Sequence, residues 1–118
     1  MASVRIYHNP SCSKSRETLA LLREQGVEPE VLQYLKTPPT AAEIEGLAKQ
    51  LGGSPQQLLR TKEAEYAASG LDANSGVRAI AEAIAAAPRL LERPIVVVGD
   101  RAAIGRPPEN VLALLKGR

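Results

Sequence analysis

The chain has 118 residues, of which 44% are hydrophobic and 24% charged, a composition typical of a globular rather than a disordered protein. This length suits one domain, and we predict a single domain over residues 1–118. The net charge of +2 is too small to favour a nucleic-acid partner or an anionic membrane. The sequence contains no stretch of ~20 apolar residues and no secretion signal, so we expect a cytoplasmic protein.

The chain contains one cysteine, Cys12, and one histidine, His8. These counts exclude a disulfide within the chain and a zinc site built from cysteine and histidine. We therefore predict no metal, and we also expect no bound cofactor. Any disulfide that Cys12 forms must be shared with an outside thiol, for which glutathione or a small redox protein is the natural source.

The first third of the chain predicts a βαβ unit. Residues 4–7 are typical of a short buried strand, and a turn follows at residues 8–10. A helix is predicted over residues 13–25, with Gly26 as its stop signal, and a second strand over residues 31–35. Two strands joined by a helix indicate a parallel pair with a right-handed crossover.

The middle of the chain, about residues 40–88, is predicted to be entirely helical. Thr40 and Glu43 have the spacing of a capping box, and apolar residues follow at the spacing of one helix face. Two short helices, the second over residues 62–68, precede an amphipathic helix that ends at Pro88.

The last third returns to strands. A continuous apolar run over residues 95–98 predicts a central strand, and a turn at residues 99–100 leads to a hairpin strand over residues 102–104. A final helix is predicted to begin at Pro107 and to end before Gly117. The complete order predicts an α/β fold, a thioredoxin-like βαβ…ββα core with the helical block as an insertion.

Cys12 is predicted to be a reactive thiolate. It lies between a turn and the start of a helix, where backbone amides and the helix dipole favour negative charge. Lys14, Arg16 and His8 lie close in sequence, so we expect a pKa well below the usual ~8.5. The Ser15 hydroxyl is expected to donate a hydrogen bond to the same sulfur. The alternative is a buried structural cysteine without chemistry.

The segment 7–16, YHNPSCSKSR, resembles the active-site loop of glutaredoxin-dependent arsenate reductases, an ArsC/Spx-like family of the thioredoxin-like superfamily. Three further matching segments follow in order: LLR at 58–60, ERPIV at 92–96 and GRPPE at 105–109. The resemblance extends from residue 4 to about residue 115, which is nearly the whole chain.

This resemblance implies specific roles. Cys12 would be the nucleophile, and Pro94 would follow a cis peptide bond beside it. Three arginines would bind the substrate oxyanion, namely Arg60, Arg93 and Arg106. Guanidinium groups suit arsenate because they stay charged and pair bidentately with tetrahedral oxyanions. Independently of the resemblance, the proximity of His8 and Ser15 to Cys12 in sequence predicts that they support the thiolate by tuning its pKa; the alternative for His8 is a turn residue without a catalytic role.

The implied activity is the reduction of arsenate to arsenite. The Cys12 thiolate would attack As(V), glutathione would then attack the adduct, and glutaredoxin would remove the glutathione as arsenite leaves. The implied partners are therefore arsenate, glutathione as co-substrate and glutaredoxin. We expect a monomer without a nucleic-acid or membrane partner.

Two alternatives stay open. The first is a glutathione-dependent thiol reductase of the same family without arsenate activity. The second is an Spx-like regulator that binds RNA polymerase; such regulators sense redox state through a C-x-x-C pair, whose second position here is Ser15.

Lys14 also differs from the small polar residue often found at that position of the reductases. The phosphatase-like arsenate reductases do not fit, because they use several cysteines and a phosphate loop.

Overall fold

The computed structural model describes residues 3–116, which form two compact units. The first unit consists of residues 3–37 and 93–116, and the second is Pro38–Glu92. The second unit corresponds closely to the predicted helical insertion. Gly117, where the last helix is predicted to stop, lies outside the described residues. The prediction of one domain over the whole chain stays a prediction.

The first unit contains a four-stranded sheet in the order β2-β1-β3-β4. The strands are β1 (Val4–Tyr7), β2 (Glu30–Leu32), β3 (Ile95–Val98) and β4 (Arg101–Ile104). Strand β1 pairs in parallel with β2 and antiparallel with β3, and β3 pairs antiparallel with β4. The tight turn of the β3–β4 hairpin contains Gly99, whose φ of 61° favours glycine. The predicted thioredoxin-like arrangement is confirmed.

Helix α1 (Ser13–Glu24) joins β1 to β2 and is followed by Gly26 with a φ of 78°. After β4 the chain forms a 3₁₀ helix (Pro108–Val111) that continues into a short helix, α5 (Leu112–Leu115). The core of this unit consists of buried apolar residues from the two central strands, α1, the loop after α1 and the C-terminal segment: Val4, Ile6, Leu22, Val27, Val96, Val98, Val111 and Leu114.

The predicted second strand over residues 31–35 is wrong at its carboxyl end. Strand β2 ends at Leu32, and the chain then turns, with the Thr37 amide donating to the Gln33 carbonyl at 3.0 Å. The turn contains Tyr34, whose side chain is only 1% exposed. Residues 31–35 include several types that are common in strands, which favours a longer strand. Burial of the Tyr34 side chain overrides that local preference.

The second unit is helical, as predicted. It contains α2 (Ala41–Leu51), α3 (Ala64–Ser69) and α4 (Val77–Ala86), with 3₁₀ helices over Pro55–Leu58 and Pro88–Leu90. Helix α3 begins two residues later than predicted. None of the helices within residues 3–116 is long and apolar enough to span a bilayer.

Helix α2 begins with the predicted capping box. The Glu43 amide donates to Thr40 Oγ1 at 3.1 Å, and the Thr40 amide donates to Glu43 Oε1 at 3.2 Å. Helix α2 packs against α4. Both helices contribute fully buried apolar side chains to this unit: Ile44, Leu47, Ile80, Ala81 and Ile84.

Candidate active site

Cys12 is the N-cap residue of α1, at the end of the turn that follows β1. Its amide donates to the Asn9 carbonyl at 3.0 Å, and its carbonyl accepts the Arg16 amide at 3.0 Å. The side chain is 9% exposed. The first turn of α1 contains no acidic residue, so nothing in it offsets the positive potential of the helix N-terminus beside the sulfur.

Three donor groups converge on the Cys12 sulfur. The backbone amide of Ser15 and the side chain of Arg93 donate hydrogen bonds to it. Arg106 Nη2 lies 3.5 Å from Sγ. The structure therefore brings the predicted nucleophile together with two of the three predicted oxyanion-binding arginines.

Burial of the side chain raises the pKa of the Cys12 thiol, but the donors outweigh this effect. The Ser15 amide, the Arg93 hydrogen bond and charge, and the Arg106 charge together lower the pKa below its ordinary value. Burial also disfavours the charged form of Arg93, yet its contacts with Cys12 and Tyr34 raise its pKa, so the guanidinium stays charged. The site therefore favours a thiolate paired with fixed positive charge.

The β3–β4 hairpin positions both arginines. Arg93 precedes β3 by two residues and Arg106 follows β4 by two residues, while Ile95 and Ile104 pair across the hairpin. Arg106 Nε donates to the Arg93 carbonyl at 2.7 Å. The strand register thus determines the separation of the two arginine backbones, and the Arg106 side chain is bonded to the Arg93 backbone.

Gly105 brings this hairpin into close contact with α1. Its amide donates to the Pro94 carbonyl at 2.9 Å. A Cβ at this position would lie 2.5 Å from Thr18 Oγ1 and 2.8 Å from Pro94 Cγ, so only glycine fits without displacement. The Arg93–Pro94 bond is cis, as the resemblance implies, and the Arg106–Pro107 bond is also cis, which the sequence did not predict.

The Ser15 hydroxyl does not make the contact expected of it. Ser15 Oγ lies 2.6 Å from His8 Nδ1 and accepts the Asn9 amide at 3.1 Å. The backbone amide of Ser15, rather than its hydroxyl, is the group that donates to Cys12. The hydroxyl instead links the loop before Cys12 to the first turn of α1.

His8 is buried, and its pKa is lowered, first by this burial and then by the charges of Arg23 and Arg16. The imidazole is therefore neutral at neutral pH and adds no positive charge beside the sulfur. Its contact with the site passes through Ser15, so its predicted role in tuning the thiol stays a prediction.

Two basic residues close to Cys12 in sequence have other partners. Lys14 is exposed and lies 3.6 Å from Glu17. Arg16 donates from Nη1 to the Pro10 carbonyl at 2.9 Å. Arginines distant in sequence therefore provide the positive charge that contacts the sulfur.

Arg60 belongs to the helical unit. Its amide donates to the Leu90 carbonyl at 2.8 Å. Its guanidinium pairs with Glu63 at 3.2 Å and lies 4.0 Å from Glu92. Within residues 3–116, the buried Nε and Nη1 atoms of Arg60 have no hydrogen-bond partner.

Sequence reasoning missed Tyr34. This buried residue interacts with the Arg93 side chain. The sequence could have indicated Tyr34 by its position directly after β2, the strand that pairs in parallel with β1. Residues that follow β2 lie at the same edge of the sheet as the active-site loop, which follows β1. Within residues 3–116, no group of three or more His, Cys, Asp or Glu residues is arranged to hold a metal ion.

Comparisons with known proteins show the family to which the chain belongs. Residues 7–114 match the model of the ArsC family. The chain is 53% identical to "Uncharacterized protein YfgD" of Escherichia coli, over 95% of this chain and 96% of that protein. It is 48% identical to an arsenate reductase of Haemophilus influenzae, over 96% of this chain and 99% of that enzyme. The solved arsenate reductase of Vibrio cholerae superposes with a TM-score of 0.89 at 48% identity, covering 95% of this chain and 97% of that one.

Proposed function

Because the chain belongs to the ArsC family, we propose that it reduces arsenate to arsenite with Cys12 as the nucleophile. The observation that carries this proposal is the contact of the Cys12 sulfur with both Arg93 and Arg106. The likeness to arsenate reductases over nearly the whole chain supports it.

The electrostatics of the site suit an oxyanion substrate. A thiolate and arsenate repel each other, and attack requires positive charge that offsets this repulsion. Two guanidinium groups beside the sulfur provide that charge, and their paired N–H donors match the oxygens of a tetrahedral anion. They also stabilise charge on those oxygens as the sulfur attacks.

The proposed reaction transfers two electrons. The Cys12 thiolate forms a bond to As(V), and one arsenate oxygen leaves as water. Glutathione then attacks the Cys12 sulfur of the adduct. As the Cys12–glutathione disulfide forms, the S–As bond breaks and its electron pair stays on arsenic, which becomes As(III). Glutaredoxin attacks the glutathione sulfur of this disulfide, which returns Cys12 to the thiol, and arsenite leaves the site. Glutathione is thus a co-substrate rather than a bound cofactor, and the reaction suits the reducing cytosol.

Arg60 is part of the proposal through the resemblance to the family. Its buried Nε and Nη1 donors are consistent with an anion ligand, and Glu63 balances its charge when no anion is bound. We expect the protein to act as a monomer.

The test is NADPH oxidation in the presence of glutathione, glutathione reductase and glutaredoxin, with and without arsenate. The proposal requires arsenate-dependent oxidation that disappears when glutaredoxin is omitted. The Cys12→Ser variant, which replaces sulfur by oxygen at nearly constant volume, serves as the matched control and should show none.

The alternatives predict different results in the same assay. Turnover of a glutathione mixed disulfide without any dependence on arsenate would identify a thiol reductase. No turnover of either substrate, together with binding to RNA polymerase, would identify a regulator. Each of these results would overturn the proposed arsenate reduction.

A further inference from the structure

Glu63 is a largely buried carboxylate without a part in the proposed chemistry. Its two oxygens face two arginines of the helical unit: Oε1 lies 3.2 Å from Arg60 Nη2, and Oε2 lies 3.6 Å from Arg89 Nη2. The side chains of Glu63 and Arg60 are 19% and 22% exposed, whereas that of Arg89 is 66% exposed. Water therefore screens the pair with Arg60 less than the pair with Arg89, so Arg60 is the main partner of Glu63.

The backbone keeps this carboxylate beside Arg60. Glu63 is the N-cap residue of α3, and its amide donates to the Arg60 carbonyl at 3.1 Å. Arg60 is itself fixed by its amide, which donates to the Leu90 carbonyl at 2.8 Å. Within the described chain, the Glu63 side chain makes no capping hydrogen bond to α3. Its carboxylate therefore serves the arginines rather than the helix end.

The pair with Glu63 satisfies the Arg60 guanidinium poorly. Glu63 pairs with the Nη2 atom, and Glu92 Oε1 lies 4.0 Å from Nη1, which is beyond hydrogen-bond distance. Nε and Nη1 are buried, and neither has a hydrogen-bond partner among residues 3–116. Burying an N–H donor without an acceptor costs free energy. A tetrahedral oxyanion offers several acceptor oxygens to the same group, so it can replace Glu63 with a more complete set of hydrogen bonds.

We propose that Glu63 is a positioning residue that holds Arg60 in the ligand-free protein and competes with the substrate oxyanion for its guanidinium. The identity of that oxyanion as arsenate rests on the proposed function, whereas the competition itself concerns any tetrahedral anion. Glu63 neutralises the charge of Arg60, and this charge becomes available to an anion as the ion pair breaks. Glu63 therefore lowers the affinity of Arg60 for anions, including phosphate, which has the shape of arsenate.

The test measures the affinity of the protein for inorganic phosphate by isothermal titration calorimetry at constant ionic strength. Glu63→Gln removes the competing charge at nearly constant volume and should lower the phosphate Kd about threefold to tenfold, the range expected for one partly buried ion pair. Glu65→Gln is the matched control, because Glu65 lies in α3 and pairs at 3.8 Å with Arg89 instead. This equal loss of charge should change the Kd by less than about twofold. An unchanged or higher Kd in Glu63→Gln would overturn the proposal.

A double variant shows whether Glu63 acts through Arg60. In an Arg60→Gln background, Glu63→Gln should have no further effect on the phosphate Kd, because the guanidinium for which the two anions compete is gone. A decrease of similar size in that background would arise from net charge alone and would refute the competition. Phosphate binding that is unmeasurable in both the wild type and Glu63→Gln would refute it as well.

Kinetics distinguish failure of this proposal from failure of the proposed function. If the chain reduces arsenate, Glu63→Gln should lower the KM for arsenate by the same factor and leave kcat unchanged, since Glu63 opposes binding of substrate and transition state equally. A fall in kcat without a change in KM would indicate a structural role and count against competition. A wild-type chain without arsenate turnover, whose phosphate Kd still responds to Glu63→Gln, would remove the proposed function and support the competition.

A second measurement uses the wild-type chain and needs no folded Glu63 variant. The side-chain carboxyl ¹³C resonance of Glu63 reports the loss of its cation as phosphate is added. It should shift together with the Arg60 Nε resonance, whereas the carboxyl resonance of exposed Glu82 in α4 should not. A shift of the Arg60 resonance with an unchanged Glu63 resonance would show that Arg60 binds phosphate without leaving Glu63, which contradicts the proposal.

Discussion

Arg106 places its Nη2 atom 3.5 Å from the Cys12 sulfur, although the two residues are 94 positions apart in the chain. The same guanidinium donates from Nε to the Arg93 carbonyl at 2.7 Å. The two arginines that flank the C-terminal hairpin therefore supply positive charge beside the Cys12 thiol. The reactivity of a cysteine near the amino terminus thus depends on folding of the last quarter of the chain.

The lowered pKa of Cys12 predicts a thiolate that persists below the pH range of an ordinary thiol. Absorbance at 240 nm, measured against Cys12→Ser, should show this titration. Arg93→Gln and Arg106→Gln should each move the titration to higher pH, because each removes a charge that stabilises the thiolate. Lys14→Gln is the control, since Lys14 pairs with Glu17 at the surface; an equal shift in this variant would contradict the structure.

Substitution of the arginines by lysine should weaken the use of arsenate more than it weakens folding. Lysine keeps the charge but loses the fork of N–H donors that matches an oxyanion. We expect kcat/KM for arsenate to fall about tenfold or more in Arg93→Lys and Arg106→Lys, with urea unfolding midpoints close to that of the wild type. Arg60→Lys tests the third arginine separately, and unchanged arsenate kinetics in that variant would remove Arg60 from the assignment.

Burial of neutral His8 predicts a loss of stability in mild acid. The folded-state pKa of His8 lies below its unfolded value of about 6.5, so the unfolded chain binds more protons between these two values. The free energy of unfolding should therefore fall as the pH drops below about 6.5 towards the folded-state pKa. Urea denaturation over this range should show the effect in the wild type and not in His8→Gln; the same slope in both chains would rule out His8 as its source.

Gly105→Ala should destabilise the protein, because the new methyl group would overlap Thr18 and Pro94. We expect a loss of about 1–3 kcal/mol in the free energy of unfolding, the usual cost of forcing extra volume into a packed site. Gly46→Ala is the matched control. Its new methyl group would meet nothing within 4 Å inside α2, so it should stabilise the protein by about 0.5–1 kcal/mol. A similar change in the free energy of unfolding for Gly105→Ala and Gly46→Ala would contradict the close packing at Gly105.

Patterns that depend on neighbouring residues were predictable from the sequence. The capping box of α2, the hairpin of β3 and β4 and the position of Cys12 before a helix follow from residues adjacent in the chain. The resemblance to the arsenate reductases identified Arg93 and Arg106, which no local pattern would have placed beside Cys12.

Features determined by three-dimensional packing were not predictable. The end of β2 at Leu32 depends on the burial of Tyr34, which competes with the strand preference of the same residues. Ser15 has two donors near the site, its backbone amide and its hydroxyl. Only the structure shows that the amide donates a hydrogen bond to Cys12, whereas the hydroxyl forms a hydrogen bond with His8. Spacing along the chain does not distinguish these two arrangements.

The pairing of Ile95 with Ile104 has a thermodynamic consequence for ligand binding. Arg93 and Arg106 flank the two strands of one hairpin, so their backbones are ordered when the sheet forms. The backbone of the two arginines therefore loses its conformational entropy when the protein folds, not when the oxyanion binds. An oxyanion that reaches Cys12 meets a preorganised pair of arginines, and more of its contact energy is available for affinity and for the transition state.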